Sequence, residues 1–272
     1  MKRRGLYQRV FKRPLDFLFA LTALIILSPV LLLIAILVRY YLGRPVICKE
    51  KRPGQYERLF TLYKFRTKTQ RSDAQMEGGK RQEKFGEFLR ASSLEVLPEL
   101  VNVLKGEMSV VGPRPLLLRY QPYFHGNERL RHVVRPGMTG LTQVLGWNAL
   151  TWDERLQIDV HYVKTFSFPM DARIAMKTAA AVLRGENLRY DVKPFVKDLE
   201  KERRGGSAPE GEWEMSQNTL EERGIFAGKK GCDPIETVER GKEFPAPGKN
   251  DGIPGYGPCA EEPQPSEQVR SL

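Results

Sequence analysis

Phe17-Leu18-Phe19-Ala20-Leu21-Thr22-Ala23-Leu24-Ile25-Ile26-Leu27-Ser28-Pro29-Val30-Leu31-Leu32-Leu33-Ile34-Ala35-Ile36-Leu37-Val38 contains no charged residue. A helix of that length, rising about 1.5 Å per residue, just matches a hydrocarbon core roughly 30 Å thick. Two features weigh against a simple crossing. Ser28-Pro29 lies mid-segment, where proline removes a backbone donor and crowds the preceding turn. Both flanks are basic, with Lys2, Arg3, Arg4, Arg9, Lys12 and Arg13 before and Arg39, Arg44, Lys49, Lys51 and Arg52 after. The positive-inside tendency keeps both flanks in the cytoplasm. A helix–break–helix hairpin that leaves by the leaflet it entered satisfies both features. A spanning helix and a signal peptide are the alternatives, the latter disfavoured because no small-residue cleavage site follows Val38.

The chain has 272 residues and a formal charge of +11, enough length for one catalytic domain with appendages and enough charge to favour anionic company. The charge is spread along the chain with no aromatic stacking platform or helix-turn-helix pattern, so no nucleic-acid partner is expected. Cys48, Cys232 and Cys259 are scattered and odd in number, which indicates neither a disulfide framework nor a zinc site.

Residues 42–190 read as a compact mixed domain. Leu59 to Phe65 suits a strand, and Phe85 to Arg90 a helix. Ser92-x-x-Glu95 matches a capping box, after which Leu94, Leu97, Val101 and Leu104 recur at helical spacing up to Gly106. Loops rich in Gly and Pro follow at 112–115 and 135–140, and helices are expected over 152–163 and 169–184. Residues 191–202 read as a charged helix end or linker. Beyond them, 203–272 carry no sustained hydrophobic period and are expected to form a disordered tail. A basic segment, 1–10, precedes the membrane helix of 11–41. The fold class is therefore α+β and mostly helical, with a re-entrant helix hairpin packed on a small domain.

Phosphate handling is the theme the residues support best. Arg66, Arg90, Arg114 and Arg135 stand at or beside turns, and a guanidinium on a fixed loop offers a planar fork to phosphate oxygens. Gly112, Gly137 and Gly140 permit close approach of backbone amides to an anion. Glu95 is distinctive among the acids because it falls at a helix start, although capping alone would explain it. His125, His132 and His161 have no metal-ligand spacing.

The segment from Phe11 to about Gly185 resembles the bacterial sugar transferase family, the monotopic polyprenyl-phosphate phosphoglycosyl transferases. The resemblance is carried by Lys12-Arg13-x-x-Asp16, Ser28-Pro29 and Leu62-Tyr63-Lys64-Phe65-Arg66-Thr67. It continues through Phe88-Leu89-Arg90-x-x-Ser93-Leu94, Leu97-Pro98 and Asn102-Val103-Leu104-Lys105-Gly106-Glu107-Met108-Ser109. Val111-Gly112-Pro113-Arg114-Pro115, Arg135-Pro136-Gly137-Met138-Thr139-Gly140 and Asn148-Ala149-Leu150 complete it. The chain looks like the short form of the family.

The resemblance implies transfer of a sugar 1-phosphate from a UDP-sugar to undecaprenyl phosphate, releasing UMP, as the initiating step of glycan or exopolysaccharide assembly. It implies Mg²⁺ as cofactor, a monotopic seat on the cytoplasmic face of the inner membrane, contact with membrane lipids, and glycan-assembly proteins as partners. In the family an Asp attacks the sugar-bearing phosphate and the adjacent Glu helps bind the metal. Here Ser93-Leu94-Glu95-Val96-Leu97-Pro98 stands where the family has Ser-Leu-Asp-Glu-Leu-Pro, and Trp147 replaces a family arginine. Glu95 is thus the catalytic candidate. Arg90, Arg114, Arg135, Lys64 and Arg66 are the phosphate-binding candidates, Glu95 and Asp159 the metal candidates, and Ser28 and Pro29 the membrane break. Glu99, one turn after Glu95, is a further carboxylate able to face the site. A catalytically silent relative that binds membrane and sugar nucleotide is the competing reading.

Overall fold

A computed structural model describes residues 6–68, 79–146 and 150–185, together with Leu199 and Arg203. Trp147, Asn148, Ala149, the linker apart from Leu199, and the expected tail beyond Arg203 lie outside the described residues.

A π-helical turn, Tyr7–Phe11, leads into helix α1, Lys12–Tyr41. This is one helix, continuous through Pro29, and the break into two helices expected at Ser28-Pro29 is not formed. The reason is local. Proline at 29 leaves the Ile25 carbonyl without its amide partner, and the Ser28 hydroxyl donates to that carbonyl at 2.8 Å. Of the described residues, this is the one helix long and apolar enough to cross a membrane.

Although apolar all round, α1 has two distinct faces. Asp16, Ala20, Ile34 and Val38 are buried, and Ala23, Leu24, Leu27, Leu31 and Ala35 pack half-buried between them. These positions recur every three or four residues, one stripe of a helix. The first half of the stripe meets Phe60, Leu62, Leu100, Val103 and Met108; the second meets Phe65 and Leu89. On the other face Phe17, Leu18, Ile25, Ile26, Leu32, Leu33 and Ile36 are exposed. Both ends of α1 therefore rest on the same domain.

Strands β1, Ile47–Pro53, and β2, Leu59–Phe65, form an antiparallel hairpin in register from Ile47 opposite Phe65 to Pro53 opposite Leu59. The strand read over Leu59 to Phe65 has those bounds. Cys48 is buried in β1. Helix α2, Gly79–Ala91, extends the expected helix backward, and α3, Glu99–Lys105, ends at Gly106, whose φ of 85° is the left-handed cap that glycine adopts without cost. Strands β3, Ser109–Val111, and β4, Gly137–Thr139, pair in parallel. Helices α4, Leu141–Val144, α5, Trp152–Thr165, and α6, Phe168–Leu183, complete the domain. Val111, Leu141, Leu150, Ile158, Tyr162, Phe166, Met170 and Ile174 form their common core.

Candidate active site

Glu95 sits on a short turn whose shape is forced from both sides. Helix α2 stops at Ala91, and the Ser92 hydroxyl turns back to the Phe88 carbonyl at 2.7 Å. Ser93 then takes a left-handed backbone, φ 55°, and Leu94–Val96 makes a single 3₁₀ turn before α3. The capping box expected from Ser92 to Glu95 is not formed, so capping does not account for Glu95. A non-glycine residue held left-handed costs on the order of 1–3 kcal/mol, and such strain gathers where a side chain must be aimed. Leu94 and Leu97 anchor the turn in the cluster of Leu89, Phe65 and Val38. Glu95 and Val96 are left half-buried.

Glu99, by contrast, is closed off. It is wholly buried, and its two oxygens accept from Arg114 Nη1 and Nη2 at 2.5 and 2.6 Å. Burial pushes its carboxyl up, against the pull of the Arg114 charge; Lys64 also pulls it down, while Glu95 pushes it up. Lys64 also pairs with Glu50 at 2.9 Å, as Arg52 does at 2.7 Å. Burial works upward on the Glu50 carboxyl, but the two cations outweigh it and hold it below the usual range.

Arg66 and Arg90 meet at the end of β2. Arg90 Nη1 donates to the Thr67 carbonyl at 3.2 Å. Arg66 is 2% exposed, donates from Nε to Lys68 O at 2.9 Å and from Nη1 to Arg44 O at 2.5 Å, and leaves Nη2 without a hydrogen-bond partner. The 3₁₀ turn that carries Glu95 packs on both α2, which bears Arg90, and β2, which leads to Arg66.

Other candidates are held elsewhere. Arg135 donates from Nε to Gly106 O at 2.8 Å, and Arg13 donates to Val103 O at 2.6 Å and Leu104 O at 2.8 Å. Both cations cover the C-terminal carbonyls of α3, about 10 Å of helix away from Glu99. Asp159, 2% exposed, accepts from Arg131 Nη2 at 2.7 Å and from the Thr142 hydroxyl at 2.6 Å. The glycines expected to cradle an anion do something different. Gly112 N donates to Thr139 O at 2.9 Å and Gly137 N to Pro113 O at 3.0 Å. A Cβ on Gly137 would lie 2.1 Å from Gly112 N, so these glycines let the two loops touch.

The model of the family described as "Bacterial sugar transferase" matches residues 7–185. The chain belongs to that family. It is 40% identical over 183 residues to the uncharacterized sugar transferase EpsL of Bacillus subtilis, covering 66% of this chain and 91% of that one. It is 35% identical over 189 residues to the UDP-N-acetylgalactosamine-undecaprenyl-phosphate N-acetylgalactosaminephosphotransferase of Aeromonas hydrophila, covering 65% of this chain and 45% of the relative. With the UDP-glucose:undecaprenyl-phosphate glucose-1-phosphate transferase of Klebsiella pneumoniae the identity is 37% over 182 residues, covering 62% and 39%. The match thus spans less than half the length of those two relatives.

The magnesium that the resemblance implies has Glu95 as its one donor on this turn, and the neighbouring groups add no second. Mg²⁺ is held through one or two carboxylates together with substrate phosphates. Val96 offers no lone pair, both oxygens of Glu99 are taken by Arg114, and Glu50 is held by Arg52 and Lys64. Among the described residues no group of three or more His, Cys, Asp or Glu side chains could hold a metal.

Sequence reasoning missed the polar anchor that seats this sugar transferase's apolar helix. Asp16 accepts from the Ser109 hydroxyl at 2.7 Å and from Val110 N at 3.1 Å. Lys12 pairs with Asp171 at 2.5 Å, and the same carboxylate accepts from the hydroxyls of Tyr7 and Tyr162, each at 2.7 Å. The signal was present: charges on a helix entering an apolar environment are costly unless paired. Asn102 was missed as well. It closes the free edge of β2, accepting from Tyr63 N at 3.1 Å and donating to Thr61 O at 2.7 Å.

Proposed function

We propose that this chain transfers a sugar 1-phosphate from a UDP-sugar to undecaprenyl phosphate, with Glu95 as nucleophile. The observation that carries the reading is the strained turn that leaves Glu95 half-buried, packed on the two elements that lead to Arg66 and Arg90, while Glu99 is withdrawn into an ion pair. A Glu95 oxygen attacks the phosphorus bearing the sugar, and the bond from that phosphorus to the bridging oxygen breaks. UMP departs with that oxygen. A phosphate oxygen of the lipid then attacks the same phosphorus and frees Glu95, giving the lipid diphosphate sugar. Splitting one displacement into two is nucleophilic catalysis. Lys64, Arg66 and Arg90 bind and orient the diphosphate, and no step passes through a metal.

The membrane seat follows from α1. A helix that crossed a bilayer could not rest both ends on one water-exposed domain, so α1 is read as lying in a single leaflet with its exposed apolar face in lipid. The basic flanks support a seat in the cytoplasmic leaflet of the inner membrane. A soluble donor and a lipid acceptor then meet at the surface where Glu95 stands.

Val96 favours one competing reading, a silent family member that binds sugar nucleotide and assists glycan-assembly proteins. Purified protein in nanodiscs, given undecaprenyl phosphate and a panel of UDP-sugars with Mg²⁺ supplied, is expected to release UMP. Glu95→Ala is expected to abolish release. No UMP from any donor would leave the silent reading in place.

A further inference from the structure

The turn that carries Glu95 departs from its family where a metal carboxylate is expected, and its surroundings supply no replacement. Val96 is apolar, Glu99 is neutralised by Arg114 and Glu50 by Arg52, and Glu95 is needed as nucleophile. Cations are instead plentiful. Lys64 and Arg52 together bring two cations to the single carboxylate of Glu50, Arg90 closes the corner against Thr67, and the buried Arg66 keeps an unpartnered Nη2. A buried donor without an acceptor is costly, and an anion at this corner would complete it.

From this we infer that the chain binds the UDP-sugar diphosphate without a divalent cation, the charge being met by Lys64, Arg66 and Arg90. This rests on the proposed reading that a UDP-sugar occupies the site. A guanidinium or ammonium offsets phosphate charge directly, which is the part of a metal's role that binding requires. The inference concerns binding, so it holds for an active or a silent enzyme alike.

The experiment is calorimetric titration of UDP-glucose and UDP-N-acetylglucosamine into the full chain in nanodiscs, once with EDTA and once with Mg²⁺. Dissociation constants within about twofold of each other in the two buffers are expected, because no protein carboxylate recruits the ion. Val96→Glu returns a carboxylate to the turn, and its affinity is expected to rise about tenfold when Mg²⁺ is added, the worth of one charge-assisted contact. Lys64→Met is expected to weaken wild-type binding in EDTA by about the same factor. Without nucleotide, the paramagnetic resonance signal of free Mn²⁺ is expected to stay undiminished by the wild type and to fall with Val96→Glu. Binding by the wild type only when Mg²⁺ is present, or loss of the free Mn²⁺ signal that Glu95→Gln restores, overturns the inference alone. Absence of binding in both buffers overturns the inference together with the reading of the site as a UDP-sugar site.

Discussion

Arg114 and Glu99 meet as a closed fork, two parallel hydrogen bonds of 2.5 and 2.6 Å with the carboxylate wholly buried. Arg114 Nη1 also donates to Met138 O at 3.0 Å, tying α3 to β4. Removing one partner of such a pair leaves an uncompensated buried charge, at a cost of about 3–5 kcal/mol. Arg114→Met and Glu99→Leu are each expected to lower the midpoint of urea unfolding sharply in detergent micelles, and the double variant to recover most of the loss. If Arg114→Met instead weakened nucleotide binding and left the midpoint unchanged, Arg114 would belong to the substrate and not to the scaffold.

Asp16 is the corresponding anchor for α1. Its two oxygens accept from Ser109 and from the Val110 amide. In Asp16→Asn only one acceptor oxygen remains, and the new amide group is turned toward a donor. The expected cost is about 1–2 kcal/mol, with α1 held less firmly to β3. Limited proteolysis in nanodiscs, followed at the junction before β1, is the check. Unchanged cleavage and an unchanged unfolding midpoint would show that apolar packing alone seats α1.

How much of this was legible beforehand divides along physical lines. The strand from Leu59 to Phe65, the helices near 152 and 169 and the end of α3 at Gly106 were readable because each is set by local pattern or by a single cap. The continuity of α1 was not, since it depends on the Ser28 hydroxyl taking over the Ile25 carbonyl, a rescue that spacing does not announce. Glu95 was found as a candidate, but Ser92-x-x-Glu95 suggested a cap that the left-handed Ser93 rules out. Arginines at turns all look alike in a sequence. Only packing separates Arg66 and Arg90, beside the Glu95 turn, from Arg135 at the far end of α3.

If α1 lies in a single leaflet, as proposed from the packing of both its ends on one domain, its flanks are on the same side of the bilayer. Arg9 and Lys68 are both exposed. With the native cysteines replaced by serine, Arg9→Cys and Lys68→Cys should react alike with a membrane-impermeant maleimide: protected in intact cells, labelled in inverted vesicles. Opposite accessibility would mean that α1 spans the bilayer, and the single-leaflet seat would fall.

His132 should make stability depend on pH. It is buried, with its ring edge-on to Phe124 at 5.5 Å. Burial, reinforced by the charges of Arg131 and Arg129, lowers its pKa from 6.5 to about 3. Between those values the unfolded chain binds a proton that the folded chain does not, so stability falls as pH drops below about 6.5, by up to about 1.4 kcal/mol per unit. The urea midpoint is expected to fall between pH 7 and pH 5, and His132→Phe to flatten that slope. An equal slope in the variant would assign the effect to other groups.

The chemistry at Glu95 has its own signature. If Glu95 attacks the sugar-bearing phosphorus, withholding the lipid acceptor should strand the sugar phosphate on the protein as an acyl phosphate. Intact mass spectrometry after incubation with a productive UDP-sugar is then expected to find an added sugar phosphate, with one equivalent of UMP released. Hydroxylamine should remove it, because an acyl phosphate yields to that nucleophile whereas a phosphate ester of serine does not. Glu95→Gln, a close match in size, should neither gain the mass nor release UMP. An adduct that survives in Glu95→Gln would place the nucleophile on another side chain. Turnover of the lipid acceptor by the wild type with no adduct under any acceptor-free condition would instead favour direct displacement, leaving Glu95 only the binding and orientation of the donor.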